Sequence, residues 1–345
     1  MNCTIKPTRS PFFSKASVKA IVYTEYGPPN VLQLAEIAKP TPKDDEVLIR
    51  IRAASVNPLD WHFLRGTPYL LRTMAGLRRP KVTRLGVDVA GQLEAVGKNV
   101  TQFRPGDEVF GACKGAFAEY GCAPERALVP KPSNLTFEQA AAVPVAALTA
   151  LQGLRDKGRI QRGQRVLING AAGGVGTFAV QIANVFGADV TGVCSTRNLE
   201  LVRSIGARHV IDYTQEDFTK GGQRYDLIFD SVGNHSLPDC RRALTPKGIL
   251  VLVGGPNKGR WVGPLTGMLK AVVLARFVSQ KLLPFMAHSN QADLIVIREL
   301  LEAGKVAPVI DRSYPLGGVP DAIRYLEGGH ARGKVVIAME QRKET

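Results

Sequence analysis

The sequence predicts an α/β protein in two parts: a strand-rich barrel-like unit, and a doubly wound parallel sheet of six strands. Three observations carry this. A chain of 345 residues exceeds what one hydrophobic core usually organises. Up to about residue 131, short strands are separated by glycine and proline corners, whereas from Gln164 onward apolar runs alternate with helical patterns. Finally, Arg165–Asn184 reads RVLINGAAGGVGTFAVQIAN, a strand, a tight glycine turn and an apolar helix in direct succession.

The first unit opens with strands at Val18–Tyr23, Val31–Ile37 and Glu46–Ala54. The last of these, EVLIRIRAA, alternates apolar and charged residues, so one face is buried and the other wet. Ser55–Trp61 leaves it as a polar-aromatic loop. Further strands are expected at Leu85–Val96, Asp107–Gly111, Ala116–Cys122 and Arg126–Lys131; many short strands with glycine and proline corners suggest a small barrel. A helix begins at Thr136-Phe137-Glu138 with Asn134 as candidate cap. Ala140–Leu154, almost wholly apolar, is expected to lie buried between domains. In the second unit strands are predicted at 165–169, 189–194, 209–212, 225–230, 248–253 and about 281–286, giving the doubly wound sheet. Helices at 291–303 and near Val319–Leu326 follow, and a last strand at Lys334–Met339.

Strand, glycine turn and helix is the arrangement that aims backbone N–H groups and a helix N-terminus at a pyrophosphate. Glycine suits the turn because a Cβ would hold the phosphates away. Enzymes that use NADH tend to carry an acidic residue about 20 residues beyond the glycines, on the ribose 2′-OH. This chain has Ser195-Thr196-Arg197-Asn198 there. Hydroxyls and a guanidinium suit a 2′-phosphate, so NADPH is the expected cofactor.

The formal net charge of +15 would favour phosphorylated ligands, anionic lipid or nucleic acid without choosing among them. Between Asp60 and Asp88 there is no acid, yet Arg65, Arg72, Arg78, Arg79, Lys81 and Arg84 occur; a solvated basic loop, or contacts to cofactor phosphate or an acidic partner, accounts for it. Aromatic platforms interleaved with basic residues are missing, so no specific nucleic-acid partner is predicted. Five scattered cysteines without a CxxC argue against a disulfide framework and a structural zinc site. Residues 1–17 read as a flexible basic extension without the apolar core of a secretion signal. The expected location is cytoplasmic, organellar targeting by this extension being the alternative. No run long enough to span a membrane is present; Leu265–Ala287 comes nearest and is interrupted by Lys270, Arg276 and Lys281. A dimer contact or a buried helix is the reading of Leu265–Lys281, ahead of peripheral membrane association, and a homodimer is expected.

The SVNPLD segment (55–60), GVDVAG (86–91), PGDEVFG (105–111), PVAALTAL (144–151), GAAGGVGTFAVQ (170–181) and GHARGKVVI (329–337) together resemble the medium-chain dehydrogenase/reductase superfamily. The similarity runs from Val18 to Met339 and points to its zinc-free quinone oxidoreductase branch, including the reticulon-interacting-protein-like NADPH oxidoreductases. Asn184 departs from the branch's usual basic or serine residue. The resemblance implies a GroES-like catalytic domain (18–145 and 288–341), a Rossmann NADPH-binding domain (146–287), and an active site in the cleft between them.

It also implies cofactor contacts from Thr149; from Ala172, Gly173, Gly174, Val175 and Gly176 at the pyrophosphate; and from Ser195, Arg197 and Tyr213 at the 2′-phosphate. Ser231 and Val232 would lie by the adenosine, Gly254 and Gly255 by the nicotinamide, with Arg332 and Lys334 closing over from the C-terminal segment. Asn57 stands where zinc alcohol dehydrogenases have a cysteine ligand, and Gly86-Val87-Asp88 where they have Gly-His-Glu. Neither Asn nor Val is a usual zinc ligand, so no metal is expected, and Asp88 reads as a paired structural carboxylate. The implied activity is zinc-independent hydride transfer from NADPH to a quinone or an α,β-unsaturated carbonyl, with Asn57 donating to the acceptor oxygen and Asp60 and Trp61 shaping the same wall. A protein that retains NADPH for binding or regulation, as an RNA-binding or membrane-peripheral module with little turnover, is the alternative.

Overall fold

The computed structural model describes residues 17–254 and 279–339. The expectations for the N-terminal extension, Gly255 and most of the 265–287 stretch lie outside the described residues. None of the described helices is long and apolar enough to cross a membrane.

The second unit is built on strands β8 (Arg165–Asn169), β9 (Asp189–Cys194), β10 (His209–Asp212), β11 (Tyr225–Asp230), β12 (Leu244–Leu252) and β13 (Lys281–Pro284). They form one sheet in the order β10-β9-β8-β11-β12-β13, every neighbouring pair parallel. Val166, Leu167, Ile168, Leu227, Ile228 and Phe229 are all fully buried, as befits a parallel sheet covered on both faces. Four of the six strands coincide with their sequence expectations. β12 starts earlier, at Leu244: Tyr225 pairs with Leu244 before the register slips, so Pro246-Lys247-Gly248 falls inside an irregular strand instead of ending a turn. Strand order reverses between β8 and β11, which opens a crevice at their carboxyl ends.

The first unit is organised on β3 (Glu46–Val56), which pairs with β4 (Asp88–Val96), β6 (Tyr120–Pro124) and β15 (Lys334–Ala338). β5 (Glu108–Ala112), β7 (Leu128–Pro130) and β14 (Ile310–Pro315) extend this seven-stranded sheet. β1 (Ser17–Val22) and β2 (Gln33–Ala38) form a separate antiparallel pair. β3 runs two residues past its expected end because Ser55 and Val56 pair with Val336 and Val335 of the C-terminal strand. A contact between residues some 280 positions apart leaves no local mark.

Four local expectations are corrected. Ser55–Trp61 is not a loop: after β3, helix α1 (Pro58–Arg65) starts with proline at its first turn and Asn57 as N-cap, an arrangement proline tolerates. The strand expected from Leu85 begins at Asp88, since the N–H of Gly86 is taken by the Asp60 carboxylate at 3.0 Å. The helix α2 (Leu71–Ala75) follows α1, and α3 (Phe137–Ala141) is capped by Thr136, which accepts from the Gln139 N–H at 3.2 Å. The proposed cap Asn134 donates instead to the Leu301 carbonyl. The long apolar helix divides, α4 (Pro144–Gln152) restarting at a proline. One continuous core contains Ala146, Leu151 and Leu154 together with Ala53 and Phe110 of the first unit and Val166 and Ile168 of the second, so this helical stretch is the seam.

Candidate active site and cofactor cleft

At the reversal point β8 ends in Gly170 and enters α5 (Gly174–Val185), with Gly173 as N-cap. Gly170 has φ +83°, and a Cβ there would come within 2.6 Å of Ser231 Oγ and 2.7 Å of Val232 Cγ2. A Cβ on Gly176 would lie 2.0 Å from the Gly170 carbonyl oxygen, a backbone atom with no rotamer to escape into. Thus Gly170 lets β8 and β11 close up, and Gly176 seats the helix against the turn, leaving Gly173, Gly174 and Val175 half-exposed at the helix start. Ala172 is buried behind them. The rim is completed by Gly254, whose N–H reaches the Asp230 carbonyl at 3.2 Å and whose missing Cβ makes room for the Ser231 carbonyl. Beyond the strand ends Tyr213 and Val232 stand open, 54% and 41% exposed.

Residues 330–334 form a strip along this crevice. At one end Arg197 donates to the His330 carbonyl at 2.9 Å, beside Ser195, whose Oγ accepts from Asn198 at 3.1 Å. In the middle Gly333 makes an isolated parallel bridge with Gly173 of the glycine turn. At the other end Lys334 turns inward, its Cδ 3.0 Å from where a Gly174 Cβ would be. Arg332 is exposed, its backbone N–H held by Asp311 at 2.8 Å.

The Lys334 ammonium is 4% exposed and donates to Asn57 Oδ1 at 2.6 Å. Asp88 Oδ2 is 3.4 Å away. Asp88 is fully buried and well supplied with donors: Ser55 Oγ at 2.8 Å, Asn57 Nδ2 at 2.9 Å and, on its other oxygen, the Val145 N–H at 3.0 Å. The last is a free N–H of the first turn of α4, where a carboxylate is electrostatically favoured. Four residues more along α4, Thr149 is 7% exposed and donates to the Val145 carbonyl at 2.6 Å. Asn57 Nδ2 also lies 3.4 Å from the Ser55 carbonyl, so its amide hydrogens are directed at Asp88 and Ser55.

Asp60, buried beside this group, accepts the N–H groups of Asn57 at 2.8 Å and Gly86 at 3.0 Å. Burial pushes its carboxyl up to about 7, an effect that the two N–H donors and Lys334 only partly offset. Trp61 stacks on His62 at 3.6 Å between ring centroids and packs against the barrel core.

The geometry therefore gathers Asn57, Asp60, Lys334 and the glycine turn in one place, and Ser195 and Arg197 at the far end of the 330–334 strip. The pairing expected of the Asp88 carboxylate is what organises the group. His330 carried no sequence signal beyond its place in GHARGKVVI. A lysine opening an otherwise apolar strand, KVVIA, was the visible trace of the buried ammonium.

An apolar parallel sheet with a glycine turn at its reversal point, joined to a β unit whose polar group faces that turn, is the arrangement of a dinucleotide-binding α/β protein. Comparison with known proteins agrees. Residues 43–133 match the alcohol dehydrogenase GroES-like domain family, and 205–337 the zinc-binding dehydrogenase family. A 2-methylene-furan-3-one reductase of Solanum lycopersicum is 37% identical, over 93% of this chain and 79% of its own. An NADPH-dependent alkenal/one oxidoreductase, chloroplastic, of Arabidopsis thaliana is 36% identical with the same coverage. The mitochondrial NAD(P)H oxidoreductase RTN4IP1 of Mus musculus is 37% identical, over 85% and 81%. The structure of an Escherichia coli quinone oxidoreductase complexed with NADPH superposes with a TM-score of 0.79 at 25% identity, covering 93% of this chain and 99% of that one.

The chain belongs to the medium-chain dehydrogenase/reductase superfamily, in the quinone oxidoreductase branch that includes RTN4IP1. It is an NAD(P)H-dependent oxidoreductase of the quinone and alkenal reductase kind, with a GroES-like N-terminal domain and a six-stranded all-parallel Rossmann-like sheet. The zinc in the matched family's description does not fit the residues here. Of the positions that the resemblance sets against zinc ligands, one is a valine and one an amide whose oxygen is held by an ammonium, and Asp88 already faces that ammonium. Among the described residues no three His, Cys, Asp or Glu side chains gather as a metal-ligand group.

Two consequences are measurable. Replacing Lys334 by Met strands the fully buried Asp88 without a cation and should lower unfolding stability by about 3 kcal/mol, as loss of one partner of a buried pair does; K334M/D88N should recover much of it. A loss below about 1 kcal/mol for K334M in urea titration would contradict the pairing. Asp60 keeps its proton in the folded state to about pH 7, whereas an unfolded aspartate releases its own near 3.9. The native state thus binds more protons across that interval, so stability is highest below it and falls as pH rises toward 7. D60N should flatten this slope, whose limit is about 1.4 kcal/mol per pH unit for one proton; equal slopes in urea titrations from pH 4 to 8 would refute the assignment.

Proposed function

We propose that this protein is an NADPH-specific, metal-independent reductase of quinones and α,β-unsaturated carbonyls. The observation that carries the reading is the strip from Arg197 through the Gly333–Gly173 bridge to Lys334 and Asn57. These contacts would line a path from a guanidinium, past helix N–H groups, to a buried ammonium. NADPH, when bound, supplies a hydride from its nicotinamide C4 to a conjugated acceptor, and the acceptor's oxygen takes up the negative charge.

Ser195, Arg197 and Tyr213 would hold the 2′-phosphate, Arg197 through a guanidinium already oriented by His330. Gly174, Val175 and Gly176 would present their N–H groups to the pyrophosphate. Ser231, Val232 and Gly254 would edge the adenosine and nicotinamide sides, and Arg332 and Thr149 would close around the cofactor. The acceptor would lie against Asn57, Asp60 and Trp61. Because the Asn57 amide hydrogens point at Asp88 and Ser55, this residue acts chiefly by fixing Lys334. The Lys334–Asp88 pair behind it, with Lys334 also 3.4 Å from the Val56 carbonyl, would set a preorganised polar wall for the developing oxyanion. This task is the one a metal performs as a Lewis acid in zinc-dependent enzymes.

The relatives' names support the acceptor class: one is a 2-methylene-furan-3-one reductase and another an alkenal/one oxidoreductase. Both names describe a carbon–carbon double bond conjugated to a carbonyl. Steady-state oxidation of NADPH and NADH across a panel of quinones, enones and alkenals tests the proposal. NADPH should be preferred, and R197A should raise its KM about tenfold or more while leaving NADH turnover nearly unchanged, since roughly 1.4 kcal/mol of phosphate binding would be lost. Equal use of both cofactors by the wild-type protein would defeat the specificity claim, and no turnover with any acceptor would defeat the enzymatic one.

A further inference from the structure

Exposed large apolar side chains are concentrated in one segment. Leu70, Met74, Leu77 and Val82 are 51%, 82%, 72% and 59% exposed, while the other exposed large apolar residues described are scattered along the chain. Leu70 and Met74 lie one helical turn apart across α2 and so share a face, and Leu77 follows directly. Arg78, Arg79 and Lys81 are exposed between them and Val82. No acid interrupts this sign of charge between Asp60 and Asp88.

The exposure does not come from a frayed loop. The Arg72 guanidinium donates to the carbonyls of Gly66 at 2.9 Å and Arg65 at 3.2 Å and packs over the rings of Tyr26 and Tyr69. Tyr26 donates its hydroxyl to the Gly76 carbonyl at 2.6 Å. The Lys81 N–H reaches the Ala75 carbonyl at 2.8 Å, and the Tyr23 N–H reaches that of Thr83 at 3.0 Å. The segment is thus fastened to the first unit from both ends, with its apolar tips turned outward and the cations set among them.

We propose that residues 70–82 dock this protein on an anionic lipid surface. Protruding methionine and leucine tips enter the boundary between headgroups and acyl chains, while the flanking arginines and lysine stay at headgroup level beside lipid phosphates and carboxylates. A bilayer suits a patch that projects side chains from a convex segment, because a fluid surface needs no matching pockets. An acidic protein would need preformed apolar ones. Docking here also sets the C-terminal end of α1, whose Arg65 and Gly66 carbonyls hold Arg72, close to the bilayer, where apolar quinones and enones concentrate. That last link rests on the function proposed above; the docking itself does not.

Flotation of the full chain with vesicles of phosphatidylcholine alone, or with about 30% phosphatidylserine, at low and high salt tests the proposal directly. The wild-type protein should float with the anionic vesicles, and about tenfold less with neutral vesicles or at high salt. M74S/L77S and R78E/R79E/K81E should each weaken anionic-vesicle binding about tenfold or more, with melting temperature and turnover of a water-soluble quinone unchanged. No binding to anionic vesicles overturns the proposal, as does binding that both variants retain. A patch that instead holds a second copy of the chain would show M74S/L77S converting a dimer to a monomer in sedimentation without vesicle binding, and this too overturns it. Flotation does not depend on turnover, so an inactive protein that floats as described would refute the reductase reading and leave the docking proposal standing.

Discussion

One buried ionic group ties the molecule together. Lys334 and Asp88 come from opposite sides of β3 and meet beneath its end, and Asn57 bridges them through both ends of its amide. Charges this deeply buried persist only where each is paired and hydrogen-bonded. Lys334 therefore has to reach Asn57, and to do so its stem must pass the glycine turn. The same constraint seats the C-terminal strand on β3, brings Gly333 against Gly173, and aligns the N-terminus of α4 with Asp88 through Val145. Barrel, sheet and interdomain helix are registered on a few polar atoms.

That registration gives the cleft its chemical character. Its sheet side is made of backbone: N–H groups at the start of α5 and carbonyls brought close by Gly176 and Gly254. Its barrel side is made of buried polar side chains, with the Asp60 carboxyl pushed up by burial to about 7 and Lys334 behind Asn57. Rigid donors on one wall and a preorganised positive charge on the other suit a reaction in which the enzyme orients two partners and meets the charge as it forms.

Much of this was legible in residue order, because parallel strands buried on both faces must be continuous apolar runs. RVLIN, DVTGVC and YDLIFD thus declared themselves with their boundaries, while HVID, at the sheet edge and without a buried residue, shows only its β-branched pattern. Glycines forced by backbone proximity were equally visible. What local reading missed depends on distant pairing or on polar capture. β3 is longer than its pattern because β15 holds its last residues. Helix α1 looked like a loop because its cap and its third residue, Asn57 and Asp60, are the polar residues that suggested one. β12 hides its start behind a proline and a glycine because a register slip absorbs them. Lys334 and Asp88 stood out separately as a cofactor residue and a structural carboxylate; only the antiparallel pairing of β15 and β4 on either side of β3 makes them partners.

On the function proposed above, this cleft would deliver hydride from NADPH to a conjugated acceptor with an ammonium, not a metal, behind the acceptor's oxygen. A single-turnover reaction of C4-deuterated NADPH with an enone, in the presence of a strong chelator, tests it most directly. Deuterium is expected at the β-carbon of the saturated product, at the same rate with or without the chelator. A product without deuterium, or a reaction that stops when metal is sequestered, would contradict it.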